Sequence, residues 1–291
     1  MYYRDFGSWM REIFPFKVQK ISINAGFTCP NRDGRISSGG CTFCDNRTFN
    51  PSYYHPQQSI TRQLEDGKLF FGRKYPEMHY LAYFQAYTNT YASLPRLQAL
   101  YEEALAVSDV VGIVIGTRPD CVSDTLLDYL QSLARHTFVM VEYGVESAND
   151  TTLKRINRGH TFACSQDAIR RTHERNIFTG AHVILGLPGE DAEESLRQAP
   201  LISDLPIDVL KLHQLQIVKG TRLAEDYIAH PFPLYDIDDY LDLIVKYIRI
   251  VRTDMVYDRF VSQCPPELLI APRWGVKNYQ FTEKLNKRLS R

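Results

Sequence analysis

Six short apolar runs, the last five each followed by a helical pattern, limit what this chain can fold into. Residues 18–25 (VQKISINA), 81–87 (LAYFQAY), 110–117 (VVGIVIGT), 137–144 (TFVMVEYG), 180–186 (GAHVILG) and 209–217 (VLKLHQLQI) read as strands. Over 94–106 the apolar positions Leu97, Leu100, Tyr101, Ala104 and Leu105 keep helical spacing, with Ser93 placed as the cap and Pro95 in the first turn. Ser123 can cap a second helix carrying Leu126, Leu127, Leu130 and Leu133, and further helices are expected at 149–156, 164–175, near 190–203 and at about 236–252. A run as uniformly apolar as VVGIVIGT suits a parallel strand buried on both faces. The alternation predicts a mostly parallel sheet or barrel with helices outside. After about residue 253 it breaks down. The reading is therefore a core of residues 1–252 and a C-terminal extension, 253–291, packed on it.

Side chains alternate faces along a strand, and the parity here is informative. Tyr83, Gln85 and Tyr87 fall on one face of the second strand. Gly112, Val114, Gly116 and then Arg118 share a face of the third, and Met140, Glu142, Gly144 and then Glu146 share one of the fourth. Gly180, His182, Ile184 and Gly186 go together in the fifth strand, and Lys211 and His213 in the sixth, opposite Leu210 and Leu212. One face is thus aliphatic and meets the helices. The other is polar or glycine-rich, increasingly so toward the C-terminal strand ends, where βα folds bind ligands. The bulky apolar layers of a closed eight-stranded barrel do not fit such a face. A six-stranded, incompletely closed barrel around a ligand cavity does. Two carboxylates in one strand need an account, because an unpaired buried charge is costly. Glu142 and Glu146 each require a donor, from a ligand, from Arg158, or from an internal salt bridge to Arg118 or Lys211.

The loop after the first strand carries Cys29, Cys41 and Cys44 in the run CPNRDGRISSGGCTFC, a C-x11-C-x2-C spacing. Thiolates suit iron–sulfur clusters, zinc or copper. Three cysteines on a 4Fe–4S cluster would leave one iron with an open position. A zinc site would want a fourth ligand, which His55 could supply, and unmetallated thiols are a third reading. A disulfide framework is disfavoured by sparse cysteines in a long chain, and Cys121, Cys164 and Cys264 read as small buried hydrophobes.

The 291 residues, 44% of them apolar, suffice for a full core. The start is too polar for a signal peptide, and no run reaches the ~20 apolar residues of a membrane span; a soluble, cytoplasmic protein is the expectation. A formal net charge of zero gives no whole-protein field toward nucleic acid, although the C-terminal stretch is locally basic.

Taken together, CPNRDG…GGCTFC, YFQAYTNTY (83–91), GTRPDC (116–121), EYGVESANDTTLKRINRGH (142–160), HVILGLPGE (182–190) and KLHQLQIVKGT (211–221) closely resemble a bacterial subgroup of the radical S-adenosylmethionine enzymes. That subgroup is akin to elongator-type and methylthio-transferring tRNA enzymes and to the oxygen-independent coproporphyrinogen oxidase. The superfamily's usual spacing is C-x3-C-x2-C; here C-T-F-C is kept and the first gap is stretched to eleven. The resemblance implies an α/β partial (β/α)6 barrel. It also implies that Cys29, Cys41 and Cys44 ligate three irons of a 4Fe–4S cluster, with the fourth iron chelating S-adenosylmethionine. Gln85 falls where relatives contact the methionyl group, although their Gly-Gly-Glu turn is absent. Arg158 matches an arginine paired with the methionyl carboxylate, and Glu146 a ribose-contacting position. Glu142 and His182 would line the same pocket, and Gly186 with Pro188 would let backbone approach the adenine. Tyr87, Arg118, Lys211 and His213 would point toward a substrate.

The implied reaction is one-electron cleavage of S-adenosylmethionine to a 5′-deoxyadenosyl radical that abstracts a substrate hydrogen. It requires an electron donor of the flavodoxin or ferredoxin type. Kinship suggests a tRNA wobble nucleotide as substrate. A small metabolite, or a zinc-stabilised binding protein without catalysis, are the alternatives.

Overall fold

A run of parallel strands forms at the expected places, and two further strands join it. The computed structural model describes residues 2–49, 58–72 and 77–290; His55, the proposed zinc ligand, lies outside them. The strands are β1 (Arg4–Asp5), β2 (Val18–Ile23), β3 (His79–Phe84), β4 (Val110–Thr117), β5 (Phe138–Glu146), β6 (Phe178–Leu185), β7 (Val209–Gln214), β8 (Ile217–Val218), β9 (Val256–Arg259) and β10 (Leu269–Ala271). The main sheet has eight strands in the order β1-β9-β7-β6-β5-β4-β3-β2, all neighbours parallel. The first helix, α1 (Phe6–Ile13), precedes β2, and α2 (Ile60–Gly72) lies between β2 and β3. The helices α3 (Leu94–Leu105), α4 (Asp124–Ala134), α5 (Asp150–Arg155), α6 (Phe162–His173) and α7 (Ala192–Ser203) connect the following strands. Beyond β7 come α8 (Arg222–Ala229), α9 (Ile237–Ile250) and α10 (Asn278–Leu289). Among the described residues, no helix is long and apolar enough to cross a membrane.

Local chemistry accounts for the boundaries. Ser123 Oγ accepts from the Leu126 amide at 3.2 Å and starts α4 as expected. Ser93 does precede α3 but makes no side-chain cap bond; Pro95 removes one of the two amides such a cap would accept from. The second strand stops at Phe84, so Gln85 and Tyr87 sit in the turn beyond it, and Tyr87 has φ 62°. In β5 the pairing with β6 slips between Gly144 and Glu146, and Glu146 has φ 69°.

Side-chain contacts show how far the sheet curls. Lys20 on β2 and Asp258 on β9 are six strand positions apart, which in a flat sheet is roughly 29 Å. Their charged ends are 2.8 Å apart, so the sheet closes almost on itself as a partial barrel. The gap between its edges is filled by α1. Asp5 caps this helix through the Ser8 amide at 3.0 Å, Phe6 lies under Lys20, and Trp9 and Met10 plug the lumen. There they pack with Leu81, Val114, Phe138, Met140, Val209 and Val256. The inner face is therefore filled by apolar side chains in its lower half, where parity predicts a polar or glycine-rich face around an open cavity. The polar residues begin one layer up. The segment after 253 starts with β9, which lies inside the main sheet between β1 and β7.

Candidate functional site

The cysteine loop leaves the C-terminal end of β2 and is held by its own backbone. The Arg32 and Asp33 amides donate to the Cys29 carbonyl at 2.8 and 3.1 Å, Gly40 donates to Asn31 at 2.8 Å, and Cys44 donates to Cys41 at 3.1 Å. Gly40 needs to be glycine: its φ is +84°, and a Cβ there would lie 3.0 Å from the Arg32 side chain. A second segment, 156–159, clamps the loop from outside. The Asn157 side chain donates to the Gly40 carbonyl at 2.8 Å, Asn31 donates to the Asn157 carbonyl at 2.5 Å, and Thr42 donates to Ile156 at 3.0 Å. Asn157 takes the left-handed conformation, φ 54°, that asparagine tolerates better than most residues.

Cys29, Cys41 and Cys44 are unpaired thiols on the wall of one cavity, together with Gln85, Tyr87, Arg118, Glu142, Glu146, Arg158 and His182. Three side chains donate toward the sulfurs: Arg158 Nη1 and Asn31 Nδ2 to Cys41 at 3.5 and 3.6 Å, and Asn46 Nδ2 to Cys44 at 3.5 Å. Such donors favour thiolate over thiol. Burial and the neighbouring Cys41 push the Cys44 thiol up to about 12, an opposing effect that a bound metal's charge would reverse. In an iron–sulfur cluster each thiolate takes its own iron, so the ligands need not converge on a point. Among the described residues, no three Cys, His, Asp or Glu side chains do. Buried atoms without partners, Asn31 Oδ1, Arg158 Nε and Arg118 Nη1, remain beside the thiols. Soft donors around an open space, sulfur-directed N–H groups and unused polar atoms fit a cluster with a polar ligand.

Arg158 and Glu146 form a buried ion pair at 3.5 Å. Arg158 also donates to the Gly144 carbonyl. Burial raises the Glu146 pKa despite Arg158 and Arg118. Arg118 faces the cavity but is held in a fork by Asp120, at 2.9 and 2.8 Å.

Beneath this layer the lumen holds a charge network. Glu142 is bonded to Lys211 at 2.6 Å, Lys20 at 3.0 Å and His182 Nε2 at 3.0 Å. Asp258 is bonded to Lys20 at 2.8 Å and paired with Lys211 at 3.0 Å. Burial alone would raise the Glu142 pKa, but Lys20 and Lys211 hold it well below the usual carboxylate range. Burial and Lys211 bring His182 down to about 4, so it is neutral.

Three expected site residues lie off this cavity. Lys211 is 2% exposed and committed to Glu142, Asp258 and the Tyr83 hydroxyl, so it is a structural cation, not one presented to a substrate. His213 bonds Ser262 through Nδ1 and lines an adjoining cavity that shares Cys44, Glu146 and His182 with the first; burial and Arg259 keep it neutral. Gly186 borders a third cavity, where a Cβ would lie 2.9 Å from the Tyr235 ring, and the Pro188 carbonyl accepts from Arg155 at 2.9 Å. Sequence reasoning missed Asn31, Asn46, Asn157, Lys20 and Asp258. Lys20 alone left a signal, as a charge inside a strand.

A model of the Radical SAM superfamily matches residues 28–197, and a model of the Radical_SAM C-terminal domain matches residues 207–291. Over 287 residues the chain is 35% identical to protein YtqA of Bacillus subtilis (strain 168), covering 99% of this chain and 89% of that one. It is 36% identical to protein YhcC of Escherichia coli (strain K12) over 287 residues, covering 98% and 91%. Among solved structures, the fold is similar to that of the archaeal Methanocaldococcus infernus Elp3, with a TM-score of 0.69 at 18% identity. That match covers 94% of this chain and 62% of the other, so the chain spans less than two thirds of that Elp3. The chain belongs to the radical S-adenosylmethionine superfamily: it is an enzyme that uses a 4Fe–4S cluster and an external reductant to cleave S-adenosylmethionine.

Proposed function

We propose that Cys29, Cys41 and Cys44 hold three irons of the cluster, and that the cavity they share with Gln85, Glu146, Arg158 and His182 receives S-adenosylmethionine. One observation carries the reading: the three thiols line a single cavity with a buried Arg158–Glu146 pair. When bound, the two cofactors supply one-electron cleavage of a sulfonium and hydrogen abstraction from an unactivated carbon. The chain's own residues position and exclude. Arg158 offers a planar guanidinium to the methionyl carboxylate, and Glu146 accepts from ribose hydroxyls. His182, neutral and fixed by Glu142, presents an imidazole to the cavity without adding charge. Tyr87 and Arg118 stand on the substrate side, while Glu142 and Lys211 build the floor. Gly186 has no part in this assignment. Iron content and 5′-deoxyadenosine formation by anaerobically reconstituted protein with dithionite test it. A colourless protein that retains zinc and forms no 5′-deoxyadenosine would overturn it.

For the substrate we infer a tRNA nucleotide, from the resemblance to elongator-type enzymes and from the rim of the site. Exposed Arg32 and Arg35 lie 5.7 Å from the Tyr87 and Tyr91 ring centroids, an arginine–aromatic pairing that suits bases and phosphates. The C-terminal basic run supports this less than its composition suggests: Lys287 is paired with Glu283 at 2.9 Å, and Arg288 with Asp238 and Asp242 at 3.2 and 3.3 Å. tRNA binding across a salt series tests the reading, since phosphate contacts release cations and weaken as salt rises. Arg35→Glu should weaken binding. Salt-independent binding, or tRNA nucleosides unchanged in a deletion strain, would leave a small metabolite as the substrate.

A further inference from the structure

Of the cations on the strands that line the lumen, one has no carboxylate partner among the described residues. Lys20 and Lys211 are matched by Glu142 and Asp258, all four in contact, Arg158 is matched by Glu146, and Arg118 by Asp120. Arg259, at the end of β9 and in register with Lys211, is half-buried and makes no ion pair or hydrogen bond among the described residues. Its Nε is buried without a partner. It lines the cysteine cavity beside Tyr83, Glu142 and His182, and it also lines a second cavity toward Asp5, Tyr257 and Asn286. A guanidinium Nε buried without a partner is costly. Here the guanidinium stands between two cavities with its fork unused.

We propose that Arg259 is the substrate-recognition residue of this enzyme, binding a singly charged oxyanion of the substrate, a carboxylate or a phosphodiester, at the floor of the radical cavity. This rests on reading that cavity as the place where substrate meets S-adenosylmethionine. Two oxygens of such a group match the unused fork bidentately, and its charge pairs the guanidinium. Lysine at this position would keep the charge and lose the fork. The substrate contact expected of Arg118, Lys211 and His213 thus falls to a residue in the segment after 253, because Lys211 and Arg118 are matched by carboxylates and His213 is neutral.

The test uses isosteric probes on the anaerobically reconstituted protein with S-adenosylmethionine bound: propionate against propionamide, and dimethyl phosphate against trimethyl phosphate. Affinities are measured by saturation-transfer NMR of the probes. In the wild type at least one anion should bind about tenfold tighter than its neutral partner, as expected for a charge-assisted contact. Arg259→Gln should abolish that preference, and Arg259→Lys should retain part of it while confirming that the site still folds. Preference for propionate assigns a small acid as substrate; preference for dimethyl phosphate assigns a nucleic-acid backbone. Equal binding of charged and neutral probes in the wild type, or a preference that survives Arg259→Gln, overturns the proposal. Wild-type protein that forms no 5′-deoxyadenosine would instead overturn the cavity reading beneath it, so the two failures are distinguishable.

Discussion

Glu142 and Lys211 face each other at 2.6 Å inside the barrel, with 1% and 2% of their surfaces exposed. Taking one member away strands a charge in the lumen. Glu142→Ala leaves Lys20 and Lys211 to share Asp258, and should cost about 3–5 kcal/mol of stability by urea unfolding. The double change Glu142→Leu with Lys211→Met leaves Lys20 and Asp258 as a matched pair, and should recover most of that loss. A double variant no more stable than Glu142→Ala would refute this account of the network.

Iron loading distinguishes the clustered cysteines from the scattered ones. Cys29→Ala, Cys41→Ala and Cys44→Ala should each abolish it after anaerobic reconstitution, whereas Cys121→Ala, Cys164→Ala and Cys264→Ala should leave it near wild type. Near-normal iron in Cys41→Ala would sink the ligand assignment. His55→Ala should not change the iron content, while a zinc site completed by His55 would lose its metal.

Arg158→Ala removes the charged partner proposed for the methionyl carboxylate. The expected loss is about 1.5–3 kcal/mol, roughly ten- to a hundredfold in S-adenosylmethionine affinity by calorimetry. Because Arg158 also lies 3.5 Å from the Cys41 sulfur, the cluster spectrum is recorded alongside. Unchanged affinity with an intact spectrum would remove Arg158 from the cofactor site.

Acid should act on His182. Its folded pKa, about 4, lies below the ordinary 6.5 because burial and then Lys211 disfavour the imidazolium. As pH falls through this window the unfolded chain takes up a proton first, so stability drops between about 6.5 and 4 and rises again with pH. The contribution is on the order of 2 kcal/mol, reduced by partial exposure of the ring. His182→Gln should flatten the difference in stability between pH 7 and pH 5; an unchanged pH dependence would contradict it.

The strand runs carried most of the architecture, because a parallel strand with one aliphatic face announces both its existence and its orientation. Parity placed Glu142, Glu146 and His182 on the inner face correctly. It could not assign partners: Lys211 belongs with Glu142 only because the sheet curls, and curvature is a property of the whole sheet. Asp258 and Arg259 were invisible for another reason. Their strand, β9, is four residues long, too short for its apolar pattern to stand out after α9. The plug formed by α1 left no separate signal either, since Trp9 and Met10 look like ordinary apolar residues in a short polar stretch until the opening beneath them exists. The donors to the sulfurs, Asn31 and Asn46, sit in a loop whose shape depends on Asn157, more than a hundred positions away.

The pairing of β1 with β9 sets an order of assembly. Arg4 opposes Val256, and closing so long a loop, about 250 residues, costs on the order of 5 kcal/mol in chain entropy. During synthesis, β1 cannot pair until β9 has left the ribosome. Through that interval α1 has no strand to anchor it over the apolar hole lined by Leu81, Phe138, Met140 and Val209. The nascent chain is therefore at its most aggregation-prone between the completion of β7 and the emergence of β9. A chaperone that shields that hole would raise the yield of folded protein without touching the site above it.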